Sequence, residues 1–185
     1  MALALLASSP PQSKPVREVS LHEEPYFVPQ SLDDLVIKSD LIIRATVAET
    51  RAADLNFKSP EGIESTLVRT AFRYVVTEVI KTDDLSIRPG VLVEVLRRGG
   101  IRDKQSYLQV TKVDALVPPK VHEDNLLFLR RDRSGTLEPS AGDSNSTFEL
   151  RAGKVITQSK VEQLRSVVDV TANALVAEIR RKVSR

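Results

Sequence analysis

Residues 67–81 read LVRTAFRYVVTEVIK, and this stretch decides the fold class. One face of it is apolar and the other is largely basic or hydroxylic: Val68, Phe72, Tyr74, Val76 and Ile80 against Arg69, Arg73 and Thr77. A period of two predicts a β-strand. Its length exceeds the usual ~3–10 residues of a strand, so we expect it to bend or to carry a bulge. Long bent strands form the corners of small barrels, which favours a small β-barrel.

Other apolar segments surround this strand and are separated by turn residues. The sequence predicts further strands at residues 40–47, 91–96, 106–112 and 125–129, and a hairpin of 147–150 with 155–157. Short connections favour antiparallel pairing. Because no helices alternate with these strands, a doubly wound parallel sheet is excluded from our expectations.

Two helices are predicted at the ends of this β-rich region. Ser31 caps a short helix over residues 32–38, whose first turn is acidic. Ser159 and Glu162 form a capping box that opens a long C-terminal amphipathic helix. Its apolar stripe contains Val161, Leu164, Val168, Leu175 and Ile179. We expect this stripe to pack on the barrel, with a dimer partner as the alternative.

The first thirty residues differ from the rest of the chain. Residues 2–7 (ALALLA) form a short apolar run, and five prolines follow at positions 10, 11, 15, 25 and 29. This composition predicts a disordered arm over residues 1–30, or the remnant of a secretory signal peptide whose basic start lies upstream. The predicted organisation is thus an arm (1–30), a β-barrel domain (31–157) and a C-terminal helix (158–185).

Composition limits the chemistry of the chain. It has 185 residues, no cysteine and a net charge of +2. Without cysteine there is no disulfide, no thiolate nucleophile and no Cys-bearing metal site. The net charge is too small to imply a polyanionic partner. No apolar run approaches the ~18 residues of a transmembrane helix, so we expect no membrane span.

No catalytic or metal-binding set stands out. His122 is followed by Glu123 and Asp124, but neighbouring residues point in different directions and make a poor metal site, so we interpret them as a solvated loop. His22 lies far away in the arm. Residues 142–146 (GDSNS) lack the pattern of a nucleophile elbow and are interpreted as a loop. We therefore predict no cofactor and no enzymatic activity.

One basic turn is a candidate for facing a ligand. It contains Arg97, Arg98, Arg102 and Lys104 around Gly99-Gly100, which permits a tight turn or a close backbone approach. OB-like barrels bind single strands by stacking bases on aromatic rings within a basic groove. Only Tyr107 lies close to this turn in sequence. A solvated cationic rim is therefore favoured over a nucleic-acid site.

Two stretches carry a family resemblance. Residues 39–47 (SDLIIRATV) and 72–81 (FRYVVTEVIK) resemble consecutive strands of the netrin-like domain of tissue inhibitors of metalloproteinases. The layout, with LFL at 127–129 and a closing hairpin, also resembles bacterial exported proteins of this size. Over residues 31–157 the resemblance implies an OB-like barrel and an extracytoplasmic location. The inhibitors chelate zinc through an amino-terminal cysteine, and this mechanism cannot apply to a chain without cysteine.

The leading functional hypothesis is a non-enzymatic interaction module, exported, that binds a protein or surface ligand through loops at one barrel end. A single-stranded nucleic-acid binder is the alternative, and an enzyme with an unrecognised site is third. A cytoplasmic location is the alternative to export. A monomer is favoured over a dimer, because a helix stripe usually faces its own core.

Overall fold

A computed structural model describes residues 14–21, 27–58, 62, 64–104, 108–113 and 117–184. The described residues form these strands, in chain order: β1 (Val16–Leu21), β2 (Leu41–Ala52), β3 (Leu55–Lys58), β4 (Glu64–Leu67), β5 (Arg69–Lys81), β6 (Leu92–Arg98), β7 (Gly100–Asp103), β8 (Leu108–Val113), β9 (Asp124–Arg131), β10 (Leu137–Pro139), β11 (Thr147–Arg151) and β12 (Lys154–Thr157). The helices are α1 (Leu32–Lys38), α2 (Asp143–Ser146), α3 (Glu162–Arg165) and α4 (Ala172–Val183), with a 3₁₀ turn (Ser166–Asp169) between the last two.

Five strands close into a barrel in the order β10-β6-β5-β2-β9, since β10 pairs with both β6 and β9. The predicted mainly β fold with a small barrel is thereby confirmed, and its closure is consistent with an OB-like barrel. β11 and β12 extend the sheet beyond β9. A separate sheet has the order β1-β8-β7, and β3 pairs with β4.

Pairing is antiparallel with two exceptions. β10 runs parallel to β6, and β1 runs parallel to β8. The expectation of an antiparallel barrel is therefore wrong for the pair β10–β6. Both parallel pairs join strands that are distant in sequence, so no short turn dictates their direction.

The long strand β5 carries the predicted irregularity. Its register against β2 shifts in three places, one of them between Arg44 and Ala45, where Thr77 is the extra residue. After this bulge the inward face changes, so that Val79 packs inside the barrel and Ile80 packs outside it. The predicted bulge is confirmed, whereas the predicted single apolar face that includes Ile80 is wrong.

Two apolar cores share the strands β2 and β9. On β9, Leu127 and Leu129 point into the barrel, and Leu126 and Phe128 point outward to the helices. Because both faces of these strands are buried, their sequences are continuous apolar runs. The outer core is closed by helix side chains and by the edge-on packing of Phe128 against Phe148, with ring centroids 5.6 Å apart.

Helix α1 has the bounds that the sequence predicts. The Ser31 hydroxyl accepts a hydrogen bond from the Asp34 amide at 3.1 Å, as expected of a cap. At the other end, the Lys81 ammonium donates to the carbonyls of Val36 and Ser39, at 2.9 and 2.6 Å. These contacts satisfy carbonyls that the helix itself leaves unpaired and fix α1 to the end of β5.

The prediction of one long C-terminal helix is wrong, because the segment is divided into α3, a 3₁₀ turn and α4. Ser159 does not form the predicted capping box, because its hydroxyl accepts from the Val161 amide and donates to Asn145. α3 ends after one turn, and α4 begins only after Thr171, whose hydroxyl caps it at the Ala174 amide. β-Branched residues in between (Val167, Val168, Val170, Thr171) disfavour helix, and Thr171 is itself a good cap. The buried stripe residues still pack on the outside of the barrel, as predicted.

The prediction of a disordered N-terminal arm is also wrong in part. Disorder is predicted over residues 1–30, yet Val16–Leu21 form β1. This proline-free segment adds to the free edge of β8, and Glu18 pairs with Lys112 at 2.7 Å. The apolar run at residues 2–7 lies outside the described residues, as do His22, Tyr107 and Arg185. No helix within the described ranges is long and apolar enough to cross a membrane.

Candidate ligand-binding cavity

One end of the barrel opens into a cavity of about 620 Å³. Its walls come from the junction of β6 and β7, from β8, from residues 117–120 and from the hairpin β11–β12. The volume lies within the ~300–1,000 Å³ that small-molecule sites occupy. This end of the barrel is therefore a concave site, not a filled core.

A buried arginine forms the floor of this cavity. Arg97 follows two inward-facing valines on β6, and strand alternation turns its side chain into the barrel, where it is 6% exposed. The guanidinium donates to the Tyr74 hydroxyl and to the Thr147 hydroxyl, each at 2.9 Å. It also lies 5.2 Å from the centre of the Phe72 ring, within cation–π range. Burial raises the pKa of Tyr74, so its phenol is neutral.

Asp143 neutralises this arginine. Its carboxylate lies 2.8 Å from Arg97, and the residue is 7% exposed. Burial raises the pKa of Asp143, although the charges of Arg97 and Arg98 act in the opposite direction. Removing either partner would leave the other charge buried without its counter-ion, which is costly. Arg97 and Asp143 therefore hold each other in place.

The segment that carries Asp143 is held by its own polar contacts. Gly142 has a φ of 78°, a conformation that favours glycine. The Ser146 hydroxyl accepts from the Ala141 amide at 2.7 Å, and the Asn145 amide group donates to the Ala141 carbonyl at 3.1 Å. Ser159 donates to Asn145 at 2.7 Å. The predicted loop at residues 142–146 is thus a fixed turn of helix, α2, that closes one side of the barrel.

Gly99 and Gly100 make the close backbone approach that the sequence allows. A Cβ on Gly99 (φ of 86°) would lie 2.8 Å from the Thr111 carbonyl oxygen, and one on Gly100 would collide with the Thr70 hydroxyl. β6 therefore leaves the barrel here and continues as β7 along β8. The crossing brings β8 over the cavity as one wall.

Aliphatic side chains surround the mouth. Ile101, Val117 and Ile156 all line the cavity, and they are 65%, 60% and 37% exposed. The Gln158 side chain fixes one wall, because it donates to the Val117 carbonyl and accepts from the Val117 amide, both at 2.8 Å. The mouth combines a polar floor with an apolar rim.

The four residues of the predicted basic turn do not lie together at one site. Arg97 and Arg98 line the cavity, but Arg97 belongs to a strand and is buried. Arg102 forms an ion pair with Asp54 and donates to the Arg69 carbonyl. Lys104 is exposed, does not line the cavity, and accepts a bond at its carbonyl from Lys14. Two of the four residues are therefore brought to one site.

The His122 segment has separate structural contacts. His122 is exposed at a φ of 69°, the Glu123 carboxylate accepts from the Lys120 amide at 2.9 Å, and Asp124 accepts from Arg44 at 2.8 Å. Within the part of the chain that the structure describes, no group of three or more His, Cys, Asp or Glu side chains is placed to hold a metal ion.

Two members of the floor are missed by reasoning from sequence. Asp143 lies in a small polar stretch that is typical of loops, and Thr147 starts a hairpin strand. Neither carries a local signal of its contact with Arg97. The inward orientation of Arg97 does have a signal, the alternation Val93, Val95, Arg97 along β6.

Comparison with known proteins assigns no family: no protein-family model matches the chain, and no curated protein matches it.

Proposed function

We propose that this chain is a non-enzymatic binding module that takes a ligand in the cavity at one end of its barrel. The observation that carries the proposal is a cavity of about 620 Å³ with a buried polar floor, in which Arg97 contacts Tyr74, Thr147 and Asp143, and an apolar rim. Sites for small molecules combine mostly apolar walls with a few fixed polar groups in this way.

Preorganisation supports binding. Arg97 is held by Tyr74, Thr147 and Asp143, so its side chain loses little freedom when a ligand arrives. Ordering a long side chain on binding costs about 0.5–1.5 kcal/mol, and here folding has already met that cost. The same contacts favour binding over catalysis, because the titratable groups of the floor are engaged with one another.

A single-stranded nucleic acid is the competing occupant. It would need exposed aromatic rings along a basic groove; among the side chains that the structure describes, Phe72, Tyr74, Phe128 and Phe148 are buried and Phe27 is half-buried. Several basic side chains elsewhere have carboxylate partners: Arg130 with Glu138, Arg131 with Asp84, and Arg180 with Glu78. These contacts favour a small ligand over a polyanion.

Export is proposed on sequence features alone, the apolar run at residues 2–7 and the resemblance to exported netrin-like domains. The reading frame upstream of Met1 tests it. An in-frame start followed by basic and apolar residues would support export, and a stop codon directly upstream would contradict it.

A fragment screen followed by amide NMR tests the binding proposal on the full chain. We expect hits that shift the amides of Gly99, Thr111 and Glu149, which line the cavity. Ile156→Trp fills the mouth and should weaken these hits at least about tenfold, or by about 1.4 kcal/mol. Ile37→Trp, on the exposed face of α1, is the matched control and should not change them.

Hits that map outside the cavity, or that respond equally to both tryptophan variants, would refute the proposal. A single-stranded oligonucleotide at low salt is included in the same screen. Its binding, weakened steeply by added salt, would favour the nucleic-acid alternative instead.

A further inference from the structure

The charged side chains that line the cavity do not balance. Six are basic and three are acidic. Four of the cations have a carboxylate partner: Arg51 with Glu94, Arg97 with Asp143, Lys112 with Glu18, and Arg151 with Glu149. Among the described residues, Arg98 and Lys120 have no such partner, and the remaining carboxylate of the lining is that of Glu123.

The two remaining cations differ in their surroundings. Lys120 is exposed and shares one wall with Glu123, whose carboxylate accepts from the Lys120 amide. Arg98 is half-buried and lines the cavity directly after Arg97 on β6. Asp143 already pairs with Arg97, so it does not offset the charge of Arg98. The lining thus carries a positive charge at Arg98 that no carboxylate of the described residues offsets, in a partly dehydrated place where an anion is favoured.

The most exposed part of the lining is aliphatic. Ile101, Val117 and Ile156 present aliphatic surface to solvent at the mouth. Burying that surface against an alkyl chain would be favourable in proportion to the area covered. A ligand that satisfies both ends carries one negative charge and an aliphatic body.

We propose that the cavity binds an amphipathic monoanion, an alkyl carboxylate whose charged group lies at Arg98 and whose chain extends along Ile101, Val117 and Ile156. This inference rests on the proposed function, since it names the ligand class of the same cavity. A carboxylate matches the planar fork of an arginine. Since Glu123 shares the wall of Lys120 and offsets its charge, one positive charge remains at Arg98, which favours a monoanion over a phosphate dianion.

Calorimetric titration of the full chain with three probes of equal chain length tests the assignment. The probes are decanoate, decanol and decylammonium, each kept below the concentration at which it aggregates. We expect decanoate to bind about tenfold to a hundredfold tighter than decanol, the range expected of a hydrogen bond to a charged group. Decylammonium should bind most weakly.

Variants of Arg98 test whether its charge causes the preference for decanoate over decanol. Arg98→Gln should reduce decanoate affinity to that of decanol and leave decanol unchanged. Arg98→Lys keeps the charge and should keep the preference for decanoate. Arg133→Gln, in the exposed turn after β9, is the matched control and should behave as the wild type. Amide spectra confirm that each variant is folded.

The outcomes separate this inference from the proposed function. If decanol binds as tightly as decanoate, or if Arg98→Gln keeps the preference, the charge assignment is wrong and the cavity proposal stands. If none of the alkyl probes binds, the ligand class is wrong, and the fragment screen alone decides the proposed function.

Discussion

The two ends of the barrel interior are built from the same strands but differ in structure: one is an apolar core and the other is a polar cavity. Towards one end, Leu41, Ile43 and Leu129 pack together and are 0–1% exposed. Towards the other, β6 places Arg97 next in the inward series, and Asp143 meets it from α2. There the interior is not filled and opens into the cavity.

This difference separates stability from binding. Packed aliphatic side chains stabilise the barrel through the area they remove from water. A buried ion pair stabilises little by itself, because the cost of dehydrating both charges offsets their attraction. An ion pair at the end that opens into the cavity is therefore better explained by orientation of a site than by stability of the fold.

Removing the ion pair at the polar end should cause the largest loss of folding stability. Arg97→Met leaves Asp143 buried without its cation, and we expect a loss of about 3–5 kcal/mol at neutral pH. Chemical denaturation measures it. Arg131→Met, which removes an exposed ion pair with Asp84, is the control and should cost about 0–1 kcal/mol. Equal losses in the two variants would contradict the buried, paired state of Arg97.

Truncation in the filled end should cost slightly less and leave binding intact. Leu127→Ala creates a cavity in the closed core and should destabilise the fold by about 3 kcal/mol. Leu85→Ala, at a 95% exposed position, should change stability by less than about 0.5 kcal/mol. Under conditions where Leu127→Ala is folded, its fragment affinities should equal those of the wild type. Loss of binding in that variant would remove the distinction between the two ends.

At the junction of β6 and β7, two glycine substitutions can be compared, with a smaller expected difference in stability. Gly99→Ala and Gly135→Ala both place alanine at a φ near 86°, but only Gly99 faces a backbone atom, at 2.8 Å. We expect Gly99→Ala to cost about 1–3 kcal/mol more than Gly135→Ala in denaturant titrations. It should also weaken fragment binding, because β8 must move. Equal costs would indicate that the crossing is not tightly packed.

The smallest expected effect is a change with pH in the stability that Asp143 contributes. Burial raises the pKa of Asp143 above the ordinary carboxyl value of 3.8, so the folded state holds this proton more tightly than the unfolded state. Stability from this group is complete below 3.8 and is lost as the pH rises through the folded pKa. The stability difference between wild type and Asp143→Asn should therefore fall with rising pH across that interval. A difference that rises would show that Arg97 lowers this pKa instead.

The sequence predicts what local patterns encode. α1 is correct to the residue because its cap and acidic first turn are adjacent in sequence. Closure of the barrel depends on β10, three residues that include a proline and give no strand signal. It pairs with β6 and β9 only because the folded chain brings them together.

The candidate site shows the same limit. Arg97 and Arg98 are found as basic residues, and alternation along β6 indicates which of them points inward. Asp143 comes from another segment 46 positions away, and nothing near it in the sequence indicates the pairing. Contacts between distant segments form the floor, and no local pattern predicts them.

The position of a bound ligand tests this account most directly. A crystal structure of the full chain with the tightest hit of the fragment screen would give it. The account predicts electron density above Arg97 and between Ile101, Val117 and Ile156, with the filled end unchanged. Density against the helices, on the outer sheet, or anywhere outside the cavity would contradict it.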